Sequence, residues 1–106
     1  MRKMIQQFGD NLLVWAATPM LVRQPDRHEV RWKKARALSN LGRHRDAIHE
    51  FEILLRAEQR EVDCLYEIAS CFADLGDFDE ARMHVKKALK ISPQDKGCLD
   101  LLQRIE

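Results

Sequence analysis

The sequence predicts an all-α fold of about six helices, stacked as helical hairpins in one domain. Three observations predict it. A series of residues recurs at a constant spacing of 34. Only four glycines and three prolines occur in 106 residues, too few turn formers for a many-stranded sheet. Helix start and stop signals then fall at the edges of the recurring unit.

The recurrence is seen by laying 35–55 over 69–89. Ala35 matches Ala69 and Leu38 matches Phe72. Leu41-Gly42 matches Leu75-Gly76, and Asp46-Ala47 matches Glu80-Ala81. Phe51, Leu54 and Leu55 match Val85, Ala88 and Leu89, with no gap anywhere. A unit of this length that recurs in tandem is one supersecondary hairpin, stable only when stacked on its neighbours. The pattern resembles the tetratricopeptide repeat, whose unit is two antiparallel helices of 34 residues. Residues Leu65, Ile68, Ala69, Phe72, Leu75-Gly76-Asp77-Phe78, Ala81, Val85, Ala88 and Pro93 carry the likeness most closely. It implies an α-solenoid with a right-handed superhelical course.

The chain divides accordingly into 1–25, a degenerate N-terminal helix; 26–59 and 60–93, two repeats; and 94–106, a capping helix. In the first part a helix is expected over 11–23. Phe8-Gly9-Asp10 is similar to Leu75-Gly76-Asp77 and so reads as the turn before it. Pro25 lies 34 residues before Gln59. Pro19 should kink or interrupt this helix, because it lacks a donor and crowds the preceding turn.

In 26–59 helices are expected over 27–41 and 45–58. Asp26 and Glu29 have the spacing of a capping box. Gly42 falls where a left-handed residue ends a helix. Arg31 and Lys34 occupy places where the resembled family carries apolar residues, which implies a loosely packed helix, with Trp32 placed to fill the room beside Arg31. In 60–93 helices are expected over 61–75 and 78–91, with Asp77 and Glu80 repeating the capping box and Gly76 repeating the stop. The last helix is expected over 94–105. Ser92 reads as its cap, Pro93 as its first residue, and Leu99 and Leu102 recur 34 residues after Leu65 and Ile68. Ala35, Ala47, Ala69, Ala81 and Ala88 mark helix faces that approach closely, while Leu38, Phe51, Leu54, Phe72 and Val85 fill the space between.

Several functions are argued against. The net charge is +1, so nothing demands a nucleic-acid or membrane partner. The apolar run from Leu12 to Val22 is about half the ~20 residues that cross a bilayer. Asp10 and a long polar lead-in fit a signal peptide poorly, even with Ala16 and Ala17 as a cleavage site. Cys64, Cys71 and Cys98 form no CxxC pair and read as free thiols in a reducing compartment; a cytoplasmic location is expected. His28, His44, His49 and His84 are scattered, and no metal-ligand spacing is seen. No phosphate loop, HExxH or GxSxG occurs. No catalytic residue, metal site, cofactor or small-molecule substrate is therefore expected, and the chain is not read as an enzyme.

Resemblance to the tetratricopeptide repeat implies a protein or peptide partner held on the concave wall made by the first helix of each pair. On that wall the alignment puts Glu29, Trp32, Lys33, Arg36, Ser39 and Asn40 from one repeat. From the next it puts Asp63, Tyr66, Glu67, Ser70, Ala73 and Asp74, with Asp100 and Arg104 extending the row. Trp32 and Tyr66 take equivalent places, and two rigid aromatics on one wall suit recognition; Trp32 reads equally as core. Family members that grip a chaperone's C-terminal carboxylate use a lysine–asparagine pair on the first helix. Here Trp32 and Arg36 hold those places, so that clamp is absent as the family writes it. Charge is uneven: 23–45 carries +6 and 46–83 carries −8, either a field that orients a partner or two solvated faces with internal pairs. The alternatives are a structural unit that self-associates through exposed repeat ends and, last, RNA binding by the basic segment.

Overall fold

A computed structural model describes residues 2–106. Six helices follow one another: α1 (Arg2–Arg23), α2 (His28–Asn40), α3 (His44–Arg56), α4 (Glu61–Asp74), α5 (Phe78–Ile91) and α6 (Lys96–Ile105). No strand occurs among the described residues, and no described helix is long and apolar enough to cross a membrane. Each helix packs on the next, and α4 also reaches α6.

Two apolar clusters hold the stack. One joins Trp32, Ala35 and Leu38 of α2 to Ile48, Phe51 and Leu54 of α3 and to Cys64, Ile68 and Cys71 of α4. The other joins Leu65 and Ala69 of α4 to Val85 and Ala88 of α5 and to Cys98 and Leu101 of α6. Helix α4 therefore serves both clusters, with residues from different sides of one cylinder. Ala35, Ala47, Ala69, Ala81 and Ala88 are wholly buried. Their small side chains allow close helix approach, and a bulkier residue at Ala81 would force the helices apart. Phe72 is only half-buried and lies against the His84 ring, centroids 5.4 Å apart.

The turns follow the repeat. Gly42 and Gly76 have φ of +80° and +82°, and after the second glycine Asp77 N–H donates back to the Phe72 carbonyl at 2.9 Å. That pattern satisfies carbonyls which the helix end leaves open. The α3–α4 connection has no glycine, and Glu58 and Arg60 take positive φ of 58° and 47° instead.

The structure departs from the sequence expectations at five places. Helix α1 begins at Arg2, not at residue 11, and runs through Phe8-Gly9-Asp10. Gly9 there costs roughly 1 kcal/mol relative to alanine, too little to end a long helix. Pro19 leaves α1 continuous. It is exposed, and the carbonyl it orphans belongs to exposed Trp15, where solvent reaches; Thr18 Oγ1 donates to the Val14 carbonyl beside it at 2.7 Å. The Asp26–Glu29 box does not form: α2 starts after Arg27 with no side-chain cap. Asp77 does accept from Glu80 N–H at 3.3 Å. Ser92 ends α5 rather than capping α6; Asp95 takes that place, accepting from Cys98 N–H at 3.0 Å.

The fifth departure is Arg31, which is itself buried rather than a gap for Trp32 to fill. Its Nη1 meets Glu50 Oε2 at 2.5 Å and its Nη2 donates to the Pro25 carbonyl at 3.1 Å. Lys34 Nζ reaches the other Glu50 oxygen at 3.2 Å. One carboxylate of α3 thus anchors two cations of α2. Removing it leaves both charges uncompensated in a desolvated place. Glu50→Ala should lose about 3 kcal/mol or more in urea unfolding, whereas Glu52→Ala, on the exposed side of α3, should stay within about 0.5 kcal/mol.

Candidate functional site

Helices α2, α4 and α6 share one wall. Trp32 of α2 is nearly buried, its ring edge-on to Phe51 with centroids 5.4 Å apart. The outer face of the indole is covered by the Arg60 guanidinium, 4.7 Å from the ring centroid, and the Arg36 guanidinium stands at 5.8 Å. Both are cation–π distances. Arg60 is aimed there by its left-handed backbone at the start of α4 and is held by Glu29, whose two oxygens accept at 3.2 and 3.1 Å. Arg36 Nε lies 3.7 Å from Glu67 Oε1. Glu67 is half-buried, and desolvation raises its pKa against the opposing pull of Arg36.

Two open hollows lie along this wall. One, of about 430 Å³, is bounded by Trp32, Arg36, Arg60, Asp63, Tyr66 and Glu67, and closed by Asp95 and Gly97. The next, of about 640 Å³, is bounded by Tyr66, Gly97, Asp100, Gln103 and Arg104. Tyr66 is the partition between them. Its ring sits against α6 at Gly97, where a Cβ would come within 3.5 Å of it.

Of the residues the alignment put on the wall, Trp32, Arg36, Asp63, Tyr66 and Glu67 come together in the first hollow, and Asp100 and Arg104 in the second. Seven others do not bound these hollows: Glu29 grips Arg60, and Ala73 packs against the second apolar cluster. Lys33 is exposed and Ser70 half-buried, and neither bounds these hollows. Ser39 Oγ faces Cys71 Sγ at 3.6 Å. Asn40 borders a separate hollow with Lys3, Gln6, Gln7 and Asp10 of α1. Asp74 Oδ2 is 4.0 Å from His44 Nδ1. Sequence reasoning missed Arg60, Asp95 and Gly97. Gly97 was within reach, because it lies 34 residues after Asp63; Arg60 depends on a backbone conformation that no pattern announced.

The three thiols are buried and free. Burial is the main cause that pushes Cys64 up to about 12, Cys71 to about 11 and Cys98 to about 12. Such thiols are inert packing groups. Among the described residues no three histidine, cysteine or acidic side chains converge on a metal position.

Paired helices stacked around a shared wall, with aromatic and charged side chains along it, define a helical-repeat protein. The tetratricopeptide repeat family profile matches residues 33–96, and the chain belongs to that family. Its members are in general protein–protein interaction modules and generally non-catalytic. Outer envelope protein 61 of Arabidopsis thaliana is 31% identical over 65 residues, which is 61% of this chain and 12% of that protein. The chain thus spans only a small part of that relative's length. A chain in the cryo-EM structure of the S. cerevisiae Sec complex (Sec61 pore ring and Sec63 FN3 double mutant, class without Sec62) is similar with a TM-score of 0.73. The match has 22% identity and covers 93% of this chain and 56% of that one. That likeness shows the fold.

The thiols give stability a direction with pH. Below about 8.5, the free-cysteine value, all three are protonated both folded and unfolded. Above it the unfolded chain loses protons first, because the folded values lie at about 11 to 12. Stability should therefore fall as pH rises. Urea midpoints should drop between about pH 7.5 and pH 9.5, and by less in a Cys64→Ala, Cys98→Ala variant measured against its own midpoint at the lower pH.

Proposed function

We propose that the chain binds an extended segment of a protein partner along the α2–α4–α6 wall, with Tyr66 as the anchor. The observation that carries this reading is the place of Tyr66, half-buried between two open hollows and backed by α6. A tyrosine so held offers a large apolar face and a polar tip with little entropy left to lose. Its surroundings mix Arg36 and Arg104 with Asp63 and Asp100, which suits a ligand of mixed charge and gives it direction along the wall. Trp32 contributes as floor rather than as a free finger, since Arg60 and Arg36 cover its face. The module acts as an adaptor, and its free thiols suit a cytoplasmic setting. RNA is disfavoured because Arg31, Lys34 and Arg36 of the basic segment are already paired with Glu50 and Glu67.

The test begins with peptides selected from a random library on the wild-type chain. Tyr66→Ala should weaken their binding about tenfold or more, with helicity and thermal midpoint nearly unchanged. Trp32→Ala is a poor probe, because removing so buried a ring costs about 3–5 kcal/mol. Peptides that bind Tyr66→Ala as tightly as wild type, or that shift amide resonances only in α3 and α5, would refute the wall as the site.

A further inference from the structure

Helix α1 is built inside out. Its buried residues, Ala17 and Leu21, with half-buried Leu13 and Val14, rest on the body of the stack. Toward its N-terminus the side facing α2 is polar: Lys3, Gln6, Gln7 and Asp10 border a hollow with Asn40. The opposite side carries Ile5, Phe8, Leu12, Trp15, Pro19 and Val22, all exposed. Phe8, Trp15 and Val22 show 73%, 75% and 79% of their surface. Those six positions step by three and four alternately without a break, the a/d spacing of a helix-to-helix seam. Between residues 4 and 22 the only charged residue is Asp10, and it lies on the α2 side.

We infer that this seam pairs with the same seam of a second copy of the chain, antiparallel about a two-fold axis. Three observations single out a second copy. The first is area. The seam with flanking Met4 and Met20 offers on the order of 800 Å² of apolar surface, about what one partner gives to a stable interface. It exceeds the roughly 300–600 Å² patch of an ordinary monomer. The second is charge. Seams that select a different partner do so through charges beside the core positions, and here Gly9, Asn11, Ala16 and Thr18 stand in those places along the seam, with Arg2 and Arg23 only at its two ends. Between those ends the seam carries no charge code and is complementary to itself, as a two-fold interface requires. The third is the order of sizes. Antiparallel pairing sets Ile5 against Val22, Phe8 against Pro19 and Leu12 against Trp15. Each layer then joins a larger residue to a smaller one, which fills space evenly. Parallel pairing would put Trp15 on Trp15 and Pro19 on Pro19, crowding one layer and emptying another.

Sedimentation velocity over a concentration series decides the matter, on the 106-residue chain. The wild type should sediment as a dimer that dissociates on dilution, with Trp15 emission shifting to the red as it does so; a Trp32→Phe background isolates that signal. Phe8→Glu and Leu12→Glu, both at exposed positions, should keep the helical circular dichroism and raise the dissociation constant about a hundredfold or more. A wild type that stays monomeric at high concentration overturns the inference. So does a dimer that survives both substitutions, which would assign pairing to another surface. A monomer that co-floats with phosphatidylcholine vesicles also overturns it, and gives the seam to a bilayer.

Discussion

Phe51 has no exposed surface, and the side chains around it come from α2, α3 and α4. It projects from the second helix of one hairpin into a space that the first helix of the next must close. Without Cys64, Ile68 and Cys71 of α4, that side of α3 would face water. The hairpin of α2 and α3 is thus incomplete alone, and so is that of α4 and α5, whose cluster is finished by Cys98 and Leu101 of α6. Burial of this kind is non-directional and would tolerate many arrangements. What narrows them is the row of wholly buried alanines, which sets how near each helix axis can come to the next. The wall of α2, α4 and α6 follows from that spacing: Trp32 and Tyr66 stand where equal steps along the stack put equivalent residues.

Most of the helices could be read from the chain because their determinants are local. A glycine forced into the left-handed region ends α2 and α4, and small and large residues alternate at fixed offsets within α3 and α5. The misreadings share a different cause. Phe8-Gly9-Asp10 has the letters of a turn, but the residues on both sides of it are helical and carry Gly9 inside α1. Arg31 looked like a misfit because its carboxylate partner is on another helix, 19 residues away. Ser92 and Asp95 are both good caps, but α5 runs on to Ile91 and takes Ser92 as its end, which leaves Asp95 to start α6. The wall was half legible for the same reason. Position 34 residues on predicts which face a residue takes, as it did for Trp32 and Tyr66. It does not predict that a loop arginine will fold back over the indole.

The uneven charge has a plainer meaning in three dimensions than along the chain. The basic stretch and the acidic stretch are neighbours in the stack, and their charges meet: Arg31 and Lys34 with Glu50, Arg36 with Glu67, Arg60 with Glu29. Each pair joins one helix to another or to the start of one. The first is buried and fixes how α3 sits on α2, since a carboxylate shared by two cations has few acceptable positions. The exposed pairs contribute little energy, yet two of them converge on the face of Trp32. A ligand that reaches the indole must therefore displace Arg60 from Glu29 or Arg36 from Glu67, and offer a carboxylate or a second aromatic face in exchange. Tyr66 carries no such condition, because among the described residues the guanidinium contacts fall on Trp32 and not on Tyr66. The two aromatics that a repeat alignment treats as equals are thus unequal as contact sites, and the difference arises from one residue, Arg60, in a connection that has no glycine.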